Sequence, residues 1–229
     1  MKMELLLPHQ IDEVLERCPV AILPWGALEW HGHHLAVGQD ALKVSALADA
    51  IADKLGCVSL PPVYVGHGTM KPHAGFKKTL EFRLATVEAL LTEHLEQLED
   101  EGFQVCIVLA GHYGGIHMAG LHHVEATYMQ ERAHEMKVEV LTDFDLVKDL
   151  GYQGDHAGKW ESSIFWHYYP DYVDMGRFRQ GVPLREQGVG GENPYETASR
   201  EVGRTIAEAI VERTAQRALD LLAEAKHAT

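Results

Sequence analysis

Two unbroken apolar runs, residues 20–24 and 105–110, constrain the fold more than any other feature of the chain. Strands covered on both faces read as continuous hydrophobic runs, not as alternation. Two further strands are expected at 57–63, interrupted by Pro61-Pro62, and at 138–141. Helical spacing fills the intervals. Residues 11–17 read as a short helix, and 40–55 as a longer one ending at Gly56, a residue suited to a left-handed C-cap. Thr86 is expected to cap a helix over 87–101 that Gly102 ends. Helices are expected over 116–135 and over 194–225, the latter with Pro194 as its first residue. This β–α alternation predicts a three-layer α/β fold, with a mostly parallel central sheet and helices on both faces. At 229 residues the chain suits one domain, 1–229.

In such sheets ligands bind just beyond the carboxyl ends of the strands, and two unusual segments fall there. The first is Glu29-Trp30-His31-Gly32-His33-His34, followed by Asp40: three imidazoles and two carboxylates within twelve residues. In an extended segment Glu29 and His31, two apart, share a side. Asp40 opens a helix. Carboxylate and imidazole without thiolate suit zinc, manganese or iron. The plainer reading is a solvated His-rich loop that binds metal adventitiously. The second segment is Ala110-Gly111-His112-Tyr113-Gly114-Gly115, immediately after a strand. A third cluster runs from Asp155-His156 to Glu161, where the plainer reading has Asp155 as a cap and Glu161 as a helix start.

Charge excludes some functions. Thirty-four acids against 20 bases give a net charge of −14, and Lys77-Lys78 is too short to make a basic patch, so no nucleic-acid partner is expected. No stretch approaches a membrane span, and Leu5-Leu6-Leu7 is too short for a signal-peptide core. Cys18, Cys57 and Cys106 form no CxxC pair, so free thiols and a cytoplasmic location are expected. There is no GxSxG, which argues against a serine hydrolase.

Five segments in order resemble the creatininase (creatinine amidohydrolase) family. Residues 29–40 resemble its E-x-H-G-x-H-L-x-x-x-x-D motif. Residues 73–80 resemble an H-x-G-F-x-G-T-L loop, with Lys78 in place of the usual glycine. Residues 111–115 resemble N-G-H-G-G-N, residues 156–163 H-A-G-x-x-E-T-S, and residues 188–194 a G-V-x-G-D-P turn. The resemblance implies a three-layer fold, a centre of two divalent ions (zinc, manganese or iron) and hydrolysis of non-peptide C–N bonds. It implies Glu29, His31, Asp40 and His112 as ligands, Asp40 bridging, and Glu161 as a further carboxylate ligand. It also implies a homo-oligomer, commonly a hexamer. His156, oriented by Asp155, is expected to protonate the leaving nitrogen after an activated water attacks the amide carbon. Tyr113, Trp160 and His73 are the candidate substrate contacts. His33, His34 and His117 are expected outside the ligand set.

One departure bears on the substrate. Creatinine-hydrolysing members carry a glutamate where this chain has Gly114, although Tyr113 matches their narrower pattern. Other relatives act on formamide-bearing pyrimidines or a short modified peptide. The expected function is therefore hydrolysis of a small cyclic amide or formamide. The alternatives are another bond (lactone, ester, modified peptide) or a non-catalytic metal- or ligand-binding protein of the same fold.

Overall fold

The computed structural model describes residues 1–131 and 134–228. The elements in chain order are α1 (Pro8–Arg17), β1 (Val20–Gly26), α2 (Gln39–Leu55), β2 (Val58–Ser59), β3 (Val63–Tyr64), α3 (Met70–Ala74), α4 (Leu84–Asp100), β4 (Val105–Ala110), α5 (Gly115–Gln130), β5 (Lys137–Thr142), α6 (Lys159–Tyr168), α7 (Pro194–Thr197) and α8 (Arg200–Ala228). The sheet order is β2-β1-β4-β5, with β3 also on β1, and these pairings are all parallel. Alternation along the strands divides the core. Val20, Ile22, Val105, Ile107 and Leu109 pack with α2, α6 and α8. Ala21, Leu23, Trp25, Cys106, Val108 and Ala110 pack with α1, α4 and α5. The layers are thus helix, parallel sheet, helix, as the apolar runs predict.

Prolines split the edge strand. The carbonyl of Ile22 accepts from the Leu60 N–H at 2.9 Å, so Pro24, two residues on, turns its missing donor toward the same edge. Pro61 and Pro62 lie opposite that gap and also lack donors. The expected strand over 57–63 is therefore two short pieces, β2 and β3.

Several helix ends differ from expectation. α4 begins at Leu84, with Thr86 already inside it, so Thr86 is not the cap. α5 stops at Gln130 and not at 135, because the Glu99 carboxylate takes the Glu135 and Met136 N–H groups. The helix expected over 194–225 is broken. Asn193 caps α7, whose first residue is Pro194, and Ser199 then caps a separate α8 by accepting from Val202 N–H. Cys18, Cys57 and Cys106 are buried free thiols. No helix among the described residues is long and apolar enough to cross a membrane.

Candidate metal centre

The carboxyl ends of β1 and β4 deliver the first donors: Glu29 and His31 follow β1, and His112 follows β4. Asp40 comes from the first turn of α2 and Glu161 from the first turn of α6. An acid there is favoured by the unpaired N–H groups of the helix start. Two glycines let α2 sink between the strand ends. A Cβ on Gly26 would lie 2.3 Å from the Ala41 nitrogen, and one on Gly111 would lie 2.3 Å from the Asp40 carbonyl oxygen. Only bare backbone permits this approach, and the approach carries Asp40 into the centre.

The donors form two nests that share Asp40. In one, His112 Nδ1 lies 2.8 Å from Glu29 Oε2 and 3.4 Å from Asp40 Oδ2. In the other, His31 Nε2 lies 2.8 Å from Asp40 Oδ1 and 3.4 Å from Glu161 Oε2. Each triad, Glu29–Asp40–His112 and His31–Asp40–Glu161, has its ligand atoms within 4.8 Å of one another. Both imidazoles are tethered by their far nitrogens. His112 Nε2–H donates to the His67 carbonyl at 3.0 Å, and His31 Nδ1–H donates to the Glu29 carbonyl at 3.2 Å. A carbonyl only accepts, so these bonds fix the tautomers and turn bare lone pairs toward the carboxylates. Met70 N–H holds the other oxygen of Glu29, and Ala157 N–H donates to Glu161 Oε2 at 2.7 Å.

Glu29 Oε2, His31 Nε2 and both Asp40 oxygens are buried and have no hydrogen-bond partner. Buried polar atoms are rarely left so. Lone pairs facing carboxylates at such distances repel unless a cation lies between them. Protons can take that place: burial opposes it, but the Asp40 and Glu29 carboxylates outweigh burial and push His112 up to about 10. Burial likewise disfavours the charge on His31, and Asp40 and Glu161 raise its pKa well above the ordinary value. An oxygen-and-nitrogen set with three carboxylates and orphaned atoms fits a pair of divalent cations.

A cleft of 690 Å³ opens over these residues, lined also by Met70, His73, Tyr113, Ile116, Phe144, Gln153 and His156. His73 and Tyr113 are thus at the cleft. Trp160 is not among its lining residues: adjacent helix positions point about 100° apart, and the residue next to Glu161 stacks on Tyr152 instead. His156 donates through Nε2 to the Trp30 carbonyl at 2.9 Å, leaving Nδ1 as its acceptor. Asp155 does not orient it. The Asp155 carboxylate accepts from the Trp160 and Glu161 N–H groups at 2.8 and 3.1 Å, capping α6. The plainer reading of Asp155 therefore describes its contacts, while Glu161 belongs to the centre. Lys78, where the resemblance expects glycine, has φ +63°.

Sequence reasoning missed Lys43. One turn after Asp40, it looks like the polar face of an amphipathic helix, yet it is fully buried and paired with Asp143 and Glu161. His34 donates to or accepts from Ser162 Oγ at 2.9 Å, and His117 packs on His112 with both ring nitrogens unpartnered.

Comparisons with known proteins bear on family and fold. The creatininase family model (creatinine amidohydrolase) matches residues 5–218. A creatinine amidohydrolase of Pseudomonas putida is 29% identical over 84% of this chain and 86% of its own. A mycofactocin precursor peptide peptidase of Mycolicibacterium smegmatis is 27% identical, covering 84% and 81%. A crystal structure of creatininase superposes with a TM-score of 0.81 at 26% identity, covering 94% of this chain and 95% of that one. The manganese form of creatininase gives 0.79 at 26% identity, covering 94% and 96%.

Proposed function

The chain belongs to the creatininase family, and on that premise we propose that it is a metal-dependent amidohydrolase cleaving a C–N bond of a small cyclic amide or formamide. The observation that carries the reading is the set of orphaned, buried donor atoms on Glu29, His31 and Asp40, each 2.8–3.4 Å from a neighbouring candidate ligand atom. In this reading Glu29, Asp40 and His112 hold one divalent ion, and His31, Asp40 and Glu161 hold the second. Zinc, manganese and iron are the candidates. When bound, such a pair supplies Lewis acidity for a carbonyl and a water acidic enough to attack near neutral pH.

The chain's own residues do the rest. The backbone tethers of His31 and His112 keep the two nests in register. His156 is held neutral, because burial lowers its pKa. Its free Nδ1 therefore accepts a proton from the attacking water and returns it to the departing nitrogen. Amines leave poorly, so that return governs turnover. Asp155 serves indirectly, by capping the helix start that presents Glu161. Met70, Ile116 and Phe144 give the cleft an apolar wall, and His73 and Tyr113 supply polar contacts.

Gly114 directs the reading away from creatinine itself. A Cβ there would lie 2.9 Å from the His67 carbonyl oxygen and 3.0 Å from that of Gly68, so a glutamate does not fit without moving the 66–68 backbone. A second reading, cleavage of a short modified peptide, is favoured by the size of the cleft, 690 Å³. A cytoplasmic, single-domain enzyme assembled as a homo-hexamer belongs to the same proposal. Three free thiols and exposed apolar side chains such as Leu5, Leu7 and Tyr172 support it.

The test is a hydrolysis screen of zinc-, manganese- and iron-loaded protein over cyclic amides, formamides, lactones, esters and short peptides. Turnover of an amide class is expected. Metal-replete protein that cleaves only esters or lactones, or protein that takes up no transition metal, refutes the proposal.

A further inference from the structure

The mechanism leaves three buried side chains unused, Lys43, Asp143 and Tyr152, which gather around the Tyr113 hydroxyl. The Lys43 ammonium lies 2.8 Å from Asp143 Oδ2 and 3.2 Å from Glu161 Oε1, donates to the Tyr113 hydroxyl, and stands 4.8 Å from the Tyr113 ring centroid. Asp143 Oδ1 accepts from the Tyr113 hydroxyl and, at 3.0 Å, from that of Tyr152. Lys43, Asp143, Tyr152 and Glu161 are all buried. A buried ammonium is tolerated only when paired this fully, so the cluster is a Lys43–Asp143 charge pair whose positive member touches one carboxylate of the centre, Glu161. Among the described residues, no lysine or arginine forms an ion pair with Glu29, Asp40 or His112. The charge is therefore placed asymmetrically, beside the nest that contains Glu161.

We propose that Lys43 makes the His31–Asp40–Glu161 site the weaker of the two cation sites, so that the centre loads its ions in sequence, first at Glu29–Asp40–His112. Two effects act in the same direction. The ammonium occupies one oxygen of Glu161, which leaves Oε2 as the donor. Its charge, offset in part by Asp143, also repels a divalent ion in a poorly screened interior, where like charges a few ångströms apart interact far more strongly than in water. Lys43 is thus a positioning residue that sets the occupancy of the centre. The inference rests on the two-ion reading above.

The experiment titrates metal-free, full-length protein with Mn²⁺ and counts bound ions by electron paramagnetic resonance. The wild type is expected to bind two ions, the second roughly tenfold or more weaker than the first. Glu161→Gln should lose only the weak ion. Lys43→Met should tighten the second ion by roughly tenfold and leave the first unchanged, whereas Lys43→Arg, which keeps the charge, should preserve the weak site. If Lys43→Met does not fold, Lys43→Gln, which removes the charge but keeps a hydrogen-bond donor for Asp143, should tighten the second ion in the same way. A second ion undetectable in the wild type but present in the neutral variant is the same result in stronger form. Two ions of equal affinity in the wild type overturn the inference and leave the two-ion reading standing. So does loss of the tight ion in Glu161→Gln, or a second site that neutral variants fail to tighten. A wild type that binds no Mn²⁺ overturns the two-ion reading itself and the inference with it.

Discussion

Asp40 is the residue on which the centre converges, because each of its oxygens faces a different histidine. Asp40→Ala should therefore empty both sites and lower kcat/KM by ~10³-fold or more, read by metal analysis beside kinetics. Retention of a full metal complement would show that Asp40 is not shared. His156 behaves differently. It lies near Glu29 and His31, with ligand atoms within 4.8 Å of one another, but it belongs to neither nest that shares Asp40, and its Nε2–H is spent on the Trp30 carbonyl. His156→Ala should keep the metal and lower kcat by about 10²–10⁴-fold. The neutral imidazole is the working form, and burial depresses its pKa. The acid limb of the kcat/KM profile should accordingly fall below the ordinary histidine value of about 6.5 and vanish in the alanine variant. A limb above that value would remove His156 from the proton path. The candidate ligand positions Glu29, His31, Asp40, His112 and Glu161 are legible in the sequence because each lies in a short motif. Lys43 and Asp143 are not. Their meaning is a pairing across one hundred residues, and an isolated lysine on an amphipathic helix carries no local sign of burial.

At the scale of elements, the approach of α2 to β1 and β4 is what turns a common fold into a site. Gly111→Ala should push the first turn of α2 away, since its Cβ would meet the Asp40 carbonyl at 2.3 Å and Val44 Cγ1 at 2.9 Å. A loss of about 1–3 kcal/mol of stability is expected, together with weaker metal retention. Unchanged metal content at reduced stability would separate the glycine from the centre. The turn from α5 to β5 depends on Glu99, whose carboxylate collects Tyr128, His134 and two backbone N–H groups. Burial opposes its charge, but these donors hold the carboxyl down to about 2. Its stabilising effect is thus complete above about pH 4.3, the unfolded value, and is lost as pH falls through the folded one. Glu99→Gln should melt below the wild type at pH 7, and the gap in Tm should close between about pH 4 and pH 2. A gap that persists into acid would assign the loss to shape and not to charge. The same carboxylate explains why the end of α5 could not be read in advance: it competes for backbone N–H groups from another helix. The strands 105–110 and 20–24 were legible because burial on both faces leaves an unbroken apolar signature. The break in the edge strand was legible from Pro61-Pro62, whereas the part played by Pro24 was not, because it acts across the ladder.

Across the whole molecule, the centre joins β1, β4, α2 and α6 through charges that balance only when a cation is present. On the two-ion proposal, metal binding would therefore be part of folding. Ions that bind the folded chain alone at one hundred times Kd should add about 2.7 kcal/mol per site. For a chain of this length that is about 5–10 °C in Tm for one site. The size of the shift should depend on pH in a definite sense. Without metal, protons on the histidines replace the cation, with His112 pushed up to about 10. Because that folded value lies above the unfolded one, the stabilisation is fully present below about pH 6.5 and disappears as pH rises through the raised value. The metal-loaded protein has already given up those protons and loses nothing in the same range. The difference in Tm between metal-loaded and chelator-treated protein should therefore widen from about pH 6.5 toward pH 10. Thermal melts at paired pH values read it directly. A difference that stays constant or narrows would mean that proton and cation do not compete for the same lone pairs, and that the orphaned donors of Glu29, His31 and Asp40 serve something other than a metal.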